Sequence, residues 1–229
     1  SYLDNKTDIT MRGRSFNFLA MAMLGLSVVQ RINGNDINKI FIPENGYISL
    51  NPPLTRRRIG SLSTRTTHPN FLRKIQNILN DVRFNVVFIN PYQMKTKGEM
   101  LKECKDQKRL EKVIPLTVSC SNWHRKGIQC GRCVPCIIRR AAVLASGFSL
   151  DAKYDSEILR YVLNDGDAKD DLLALTAANI RISKINDHSR WVRESGPLPD
   201  QENERQELFS VFSRGLAEVG VFLKKEKIL

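Results

Sequence analysis

The sequence predicts an α/β fold with a parallel sheet, followed by a helical extension. Helix-like and strand-like segments alternate over roughly the first 147 residues, which is the pattern of a parallel sheet covered by helices. Four cysteines with the spacing of metal ligands lie near the end of this part, within residues 120–136, and the chain beyond Gly147 is mainly helical in pattern. With 229 residues, 41% of them hydrophobic, the chain can bury a core, so wholesale disorder is excluded.

The first predicted elements are a helix, a strand and a long loop. Residues 11–31 are rich in Met, Leu and Ala and predict a buried helix with Thr10 as its N-cap. Residues 39–42 predict a short apolar strand that ends at Pro43. Residues 43–67 have no helical period and are dense in Pro, Gly, Asn, Ser and Thr. A loop this long inside a compact domain is usually functional or disordered.

A second round of helix and strand follows the loop. Residues 69–82 predict a helix, with His68 as a cap and Pro69 at the first helical position. Residues 84–89 predict another buried strand. A third helix is expected over residues 95–105, with Thr96 as its cap.

The remaining elements lead from the sheet into the extension. Residues 113–118 are expected to be extended, and a helix is expected over 134–146. The extension is predicted to contain helices at about 155–164, 168–181 and 201–227, joined by an irregular connection over 183–200. Phe209, Phe212 and Phe222 mark one apolar face of the last helix, which we expect to pack on the core or on a partner.

The charge is distributed unevenly along the chain. The formal net charge is +12, but residues 1–140 carry 24 Lys and Arg against 9 Asp and Glu, whereas residues 141–229 carry a net charge of −3. The basic first part indicates an anionic partner such as a nucleic acid, a nucleotide or phosphate. One alternative function is therefore a nucleic-acid-binding zinc module, with Arg56, Arg57 and Arg58 among its contacts.

Membrane and secreted classes are not expected. The longest apolar stretch, residues 16–29, is interrupted by polar residues and glycine and is shorter than the ~18 residues that cross a bilayer. No signal-peptide pattern precedes it. Four of the five cysteines lie within residues 120–136, which is unlike a disulfide framework. The sequence therefore predicts a cytoplasmic protein without a membrane partner.

The cysteine cluster has the form Cys120-x9-Cys130-x2-Cys133-x2-Cys136. Two-residue spacings let neighbouring thiolates converge on one ion, and the longer loop brings in the fourth, which favours a structural zinc site with no open coordination position. An iron–sulfur cluster and free thiols are the alternatives. Nearby basic residues offset the charge of four thiolates: Arg125, Lys126, Arg132, Arg139 and Arg140.

Three segments together resemble one enzyme family. Residues 117–139, TVSCSNWHRKGIQCGRCVPCIIR, resemble the zinc loop of the QueC-like 7-cyano-7-deazaguanine synthases of the PP-loop ATP pyrophosphatase superfamily. Residues 94–100, MKTKGEM, resemble the family's TK-x-E-I helix start, and residues 11–22, MRGRSFNFLAMA, resemble another of its helix starts. The resemblance covers about residues 11–147 and keeps the family's order of elements.

The resemblance implies a Rossmann-like parallel sheet of the PP-loop/HUP type. The superfamily's Ser-Gly-Gly-x-Asp-Ser nucleotide loop is absent from the sequence. We therefore expect residues 1–147 to be the C-terminal part of such a domain, lacking its first half, and residues 148–229 to be a helical extension. Residues 42–69 depart from the Asp- and Tyr-rich form of the biosynthetic enzymes, and resemble the QatC type of anti-phage defence systems.

The family's chemistry would be the ATP-dependent joining of a carboxylate to an amine. ATP and Mg²⁺ would be used to adenylate a deazapurine carboxylate with release of pyrophosphate, and an amine would then displace AMP. The simple product would be a nitrile nucleobase, whereas a defence relative could join the deazapurine to a protein amine with partners from the same system. An RNA-modifying PP-loop enzyme with an iron–sulfur cluster is a further alternative.

The resemblance also suggests site residues. Lys97 corresponds to the family lysine near the phosphates and is the predicted catalytic residue, the alternative being a solvated lysine at a helix start. Arg12 and Arg14 could face the nucleotide. The long loop offers a set of substrate-binding candidates, which could instead be an ordinary polar loop: Glu44, Asn45, Asn51, Arg65 and Thr66.

Overall fold

The computed structural model describes residues 12–33, 38–54, 66–120, 122–164, 166, 169–184 and 189–229. The predicted site residue Arg65 and the charge run 56–58 lie outside the described residues, as do the side chains of Arg12 and Arg14.

The described chain is mainly helical with a small sheet. Its first elements are α1 (Arg12–Asn33), β1 (Lys39–Phe41), α2 (Gly46–Leu50), α3 (Pro69–Asp81), β2 (Val87–Ile89), α4 (Lys97–Lys102) and α5 (Gln107–Val113). A 3₁₀ turn (Ile114–Leu116), α6 (Trp123–Lys126), α7 (Val134–Ser146), α8 (Leu159–Val162), α9 (Asp170–Ile182), α10 (Ser189–Arg193) and α11 (Glu202–Lys225) follow. The element α10 lies inside the stretch that was expected to be irregular.

The two strands are parallel, as the alternating pattern predicts. Lys39 pairs with Val87 and Phe41 with Ile89, and α3 provides the crossover between the strands. Gln76 of α3 fixes the helix to the second strand, because its amide donates to the Val86 carbonyl at 2.7 Å and accepts from the Phe88 amide at 3.0 Å. The carboxyl ends of β1 and β2 therefore lie side by side.

The loop prediction for residues 43–67 is wrong at one point, because α2 lies inside it. Asn45 caps this helix by accepting from the Ile48 amide at 3.0 Å, and Asn51 ends it with a left-handed backbone at φ 41°. Tyr47 and Leu50 are buried in the core. A five-residue helix is too short to show a helical period in the sequence.

The extended prediction for residues 113–118 is also wrong. Val113 ends α5, and Ile114 begins a 3₁₀ turn in which Pro115 occupies an early position. The apolar β-branched run suggested a strand, but Asp106 starts a helix upstream by accepting from the Arg109 amide at 2.9 Å. The helical start carries the chain through Val113 into the turn.

The main core joins the extension to the rest of the chain. Helix α11 buries a long apolar face against α2, α7 and α9. Phe212 is fully buried. The centroid of its ring lies 5.1 Å from the ring centroid of Trp191 and 5.9 Å from that of Tyr47. The expected packing of the last helix on the core is therefore what the structure shows.

The prediction that the first helix is buried is wrong. Leu19 and Leu26 are buried, but Phe16, Met21 and Ile32 are 52%, 67% and 75% exposed. Leu19 contacts the small core cluster on α3, and the described residues leave the opposite face of α1 open. Apolar composition alone could not show which face a neighbour covers.

One helix also meets the length and composition of a membrane span, against the expectation from sequence. Within residues Ser15–Asn33, an 18-residue window has a mean hydropathy of 1.3, and 17% of that window is buried. A single apolar helix near the N-terminus is weak evidence for a membrane span, because core helices and signal sequences share these properties.

Candidate metal centre and strand-end site

The four predicted metal ligands converge. All four sulfur atoms lie within 4.8 Å of one another, and all four side chains are buried: Cys120, Cys130, Cys133 and Cys136. The Cys130–Cys136 and Cys120–Cys133 sulfur pairs are 3.9 and 4.0 Å apart. Sulfurs at the corners of a tetrahedron around zinc, with Zn–S bonds of ~2.3 Å, are about 3.8 Å apart. The donor set and its spacing fit zinc.

The backbone turns around the cluster depend on glycine. Gly131 has a left-handed backbone at φ 76°, and a Cβ there would lie 2.5 Å from the Ser156 carbonyl oxygen. The amides of Cys130 and Cys133 donate to the sulfurs of Cys120 and Cys130 at 3.3 and 3.4 Å. Both features hold the sulfurs toward a common centre.

The protonation of the cluster without a cation is uneven. Hydrogen bonds from Cys133 and Cys136 lower the pKa of Cys130. The hydrogen bond between Cys133 and Cys130 raises the pKa of Cys133. The hydrogen bond between Cys136 and Cys130, together with burial, raises the pKa of Cys136 to about 12. A bound divalent cation would stabilise all four thiolates together, because metal binding displaces their protons.

Arg139 locks the start of the zinc loop onto α7. Its buried guanidinium donates to Asp151 at 2.8 Å and to the carbonyl and hydroxyl of Thr117, both at 2.7 Å. It also donates to the Ile114 carbonyl, and Tyr154 donates to Asp151 at 2.6 Å. The sequence indicated only a charge-offsetting role for Arg139. The structure gives it a network that fixes both ends of the metal centre.

Glu44 and Asn45 lie directly after β1, as predicted for a ligand site at the strand ends. Asn45 is buried and bonds within the protein, its amide donating to Glu44 at 2.9 Å and its oxygen capping α2. Burial raises the pKa of the half-buried Glu44, and the nearby ammonium of Lys97 opposes that shift.

Lys97 lies between the strand ends and the zinc loop. Its ammonium is 3.4 Å from the hydroxyl oxygen of Ser119, the residue before Cys120. Burial lowers the pKa of Lys97, while Glu44 raises it. The predicted N-cap of its helix is confirmed as a complete capping box, in which Thr96 and Glu99 exchange bonds with each other's backbone. The fold thus brings Lys97, Glu44 and the zinc loop together.

Residues 66–147 match the family model of QueC, the queuosine biosynthesis protein. The matched segment runs from α3 through the metal centre to the end of α7. The match supports a QueC-like family, a PP-loop Rossmann-like fold and an ATP-dependent function. No curated protein matches the chain, and no solved structure matches it.

The other predicted site residues that the structure describes lie at separate places. Thr66 accepts from the hydroxyl of Ser15 on α1 at 2.9 Å. Asn51 lines a small cavity of about 60 Å³ between α2 and α7. His68 is a helix cap, as predicted, accepting from the Asn70 amide at 3.2 Å. Asn51 thus ends α2 and His68 begins α3, whereas Thr66 lies in the turn before α3.

Two features near the QueC-matched residues were missed in the sequence. A cavity of about 280 Å³ beside the end of β2 is lined by Arg73, Asn90 and Glu204, among others. The side-chain nitrogen of Asn90 is buried there without a hydrogen-bond partner. The second feature is Glu218 of α11, which reaches the start of α4. Neither belongs to a sequence motif, and Glu204 and Glu218 lie far along the chain.

Proposed function

We propose that this protein is a QueC-like ATP-dependent ligase that adenylates a deazapurine carboxylate and amidates it. The observation that carries the proposal is the QueC match over residues 66–147, inside which four buried sulfurs converge as a zinc site. Four cysteine ligands leave no open position, so the zinc would have a structural role.

Lys97 is the residue that we assign to the reacting phosphates. Its ammonium is partly buried beside Glu44 and the zinc loop, where a low local dielectric strengthens its attraction for an anion. The zinc loop would fix the position of Ser119, whose hydroxyl contacts the Lys97 ammonium. We propose nucleotide and substrate contacts for the full set of residues predicted from the sequence: Arg12, Arg14, Glu44, Asn45, Asn51, Arg65 and Thr66.

The amine acceptor could be a protein. Residues 42–69 resemble QatC-type proteins, so we propose a cytoplasmic role in a bacterial anti-phage defence system with protein partners from that system. In this version the deazapurine would become attached to a protein amine instead of being released as the nitrile.

The experiment is an assay of pyrophosphate and AMP. Activity would require the Ser-Gly-Gly-x-Asp-Ser nucleotide loop, which is absent from this sequence, so the assay uses protein that includes such a loop. This protein, with its candidate partners present, is incubated with ATP, Mg²⁺ and 7-carboxy-7-deazaguanine. We expect pyrophosphate and AMP to be released only with the deazapurine carboxylate, and Lys97→Ala to slow release about 100-fold or more. Lys102→Ala, an exposed lysine on the same helix, is the matched control. Failure of the complete mixture to release either product would overturn the proposal.

A further inference from the structure

The residues on both sides of Lys97 are held by α11, which lies outside the QueC-matched segment. Thr96 donates its hydroxyl hydrogen to the carboxylate of Glu218. The Gly98 amide donates to the second oxygen of the same carboxylate at 3.2 Å. One side chain of the extension, that of Glu218, therefore binds the residue before Lys97 and the residue after it.

A second residue of α11 holds the next positions along the chain. Arg214 donates to the carboxylate of Glu99 at 2.6 Å and to the carbonyl of Met94 at 2.9 Å. Glu99 is also part of the capping box, so Arg214 acts on the start of α4 through it. Glu218 and Arg214 are one helical turn apart and face the same segment.

The fit at Gly98 is close. A Cβ at this position would lie 2.5 Å from an oxygen of Glu218, so glycine is what lets the carboxylate reach the backbone. Burial raises the pKa of Glu218, while its bonds to Thr96 and Gly98 oppose that shift. Burying a carboxylate has a desolvation cost, which these bonds offset.

The same helix supports the other strand end. A Cβ on Gly46, two residues after Glu44, would lie 3.0 Å from a methyl group of Val211. A Cβ on Gly215 would lie 2.5 Å from the ring of Tyr47 in α2. Helix α11 is thus in close contact with both segments that carry the Lys97–Glu44 pair.

We propose that Glu218 and Arg214 are positioning residues of the candidate active site. They set the backbone from which Lys97 extends, while α11 supports the segment of Glu44. The site is therefore completed by the helical extension. This inference rests on the proposed function for the reaction that Lys97 serves, but the contacts themselves can be tested without any activity.

The first experiment measures hydrogen exchange of the peptide that covers residues 94–100. We compare Glu218→Ala and Gly98→Ala, which displaces the same carboxylate, with Glu207→Gln, an exposed carboxylate on the same helix. Exchange should rise several-fold in the two test variants and stay unchanged in the control, with exchange of the α7 peptides unaltered. Wild-type exchange rates in Glu218→Ala would overturn the inference, whatever the activity assay shows.

The second experiment uses pyrophosphate release. In Glu218→Ala, kcat should fall about 10- to 100-fold with little change in KM for ATP. The reason is that a displaced Lys97 ammonium would no longer be aligned with the reacting phosphates but would still attract ATP. Glu218→Gln keeps the shape and an acceptor for Gly98, and should recover most of the rate. The double variant Gly98→Ala/Glu218→Ala should be no slower than either single variant, because both remove one contact. Unchanged kcat alongside raised exchange would overturn the positioning role; a wild-type protein without activity would overturn the proposed function alone.

Discussion

At the scale of residues, the candidate metal centre consists of four cysteine sulfurs and the side chains that position them. The spacing of the cysteines predicted that these four side chains converge, and the structure brings them together. The bond network of Arg139 to Thr117 and Asp151 was not visible in the sequence, because its partners lie 22 and 12 residues away in no fixed pattern. Such outer contacts often orient metal ligands.

The first residue-scale prediction concerns metal content. The purified protein should be colourless and contain one zinc per chain, because four thiolates at these separations fit zinc. Cys133→Ser should lose most of the zinc and lower the melting temperature, whereas Cys104→Ser, outside the cluster, should change neither. Elemental analysis and thermal unfolding provide the measurements. A brown protein with iron would support the iron–sulfur alternative instead.

The second residue-scale prediction concerns Lys97 and pH. Burial lowers the pKa of Lys97 below its ordinary value of 10.5, so the unfolded chain binds more protons between the folded pKa and 10.5. Lys97 should therefore make the free energy of unfolding increase as pH rises through that window. Lys97→Met should remove this increase.

The measurement for this pH prediction is urea unfolding at several alkaline pH values. Lys102→Met is the control, since Lys102 is an exposed lysine on the same helix. The difference in unfolding free energy between Lys97→Met and the wild type should shrink as pH rises toward 10.5. A difference that does not vary with pH would contradict the assigned shift.

At the scale of elements, helices with clear start signals were predicted well. The pairing of His68 with Pro69 and the cap at Thr96 each predicted a helix start that the structure confirms. Short or unusually placed elements were missed, because α2 spans only five residues and α10 lies within a polar connection. Local signals report starts, whereas short helices depend on the surfaces that they contact.

The element-scale prediction concerns the buried face of α11. Leu216 is fully buried between elements on either side of residue 147, so Leu216→Ala should lower the free energy of unfolding by about 3 kcal/mol. Val221 lies on the same helix but is 59% exposed, and Val221→Ala should cost well under 1 kcal/mol. Urea unfolding measures both. Equal effects would mean that α11 does not share the main core.

At the scale of the whole molecule, one core spans the proposed boundary at residue 147. Val134 and Ile137 of α7 belong to the same buried cluster as Leu208 and Leu223 of α11. The QueC-matched residues 66–147 and the helices that follow them are therefore joined by shared apolar contacts. The four cysteines and Lys97 lie within residues 1–140, the part of the sequence that carries the excess of basic residues.

The whole-molecule prediction is a single unfolding transition. Trp191 is buried in the extension, so its fluorescence reports on that part in a Trp123→Phe background, while far-UV circular dichroism reports on all helices. Both signals should give the same urea midpoint, because the two parts share one core. Adding a chelator should lower both midpoints together. Two separate midpoints would show that residues 148–229 unfold independently.

The sequence by itself predicted the convergence of the four cysteines, the starts of α3 and α4 and the parallel direction of the strands. Each depends on residues a few positions apart, such as the cysteine spacings or His68 and Pro69, or on the order of helices and strands. Only the tertiary structure decided the exposure of α1, the burial of Lys97 beside Glu44 and the contact of Glu218 with Gly98. Glu218 and Gly98 are 120 residues apart, and which distant surfaces meet follows from packing of the whole core, which no local spacing encodes.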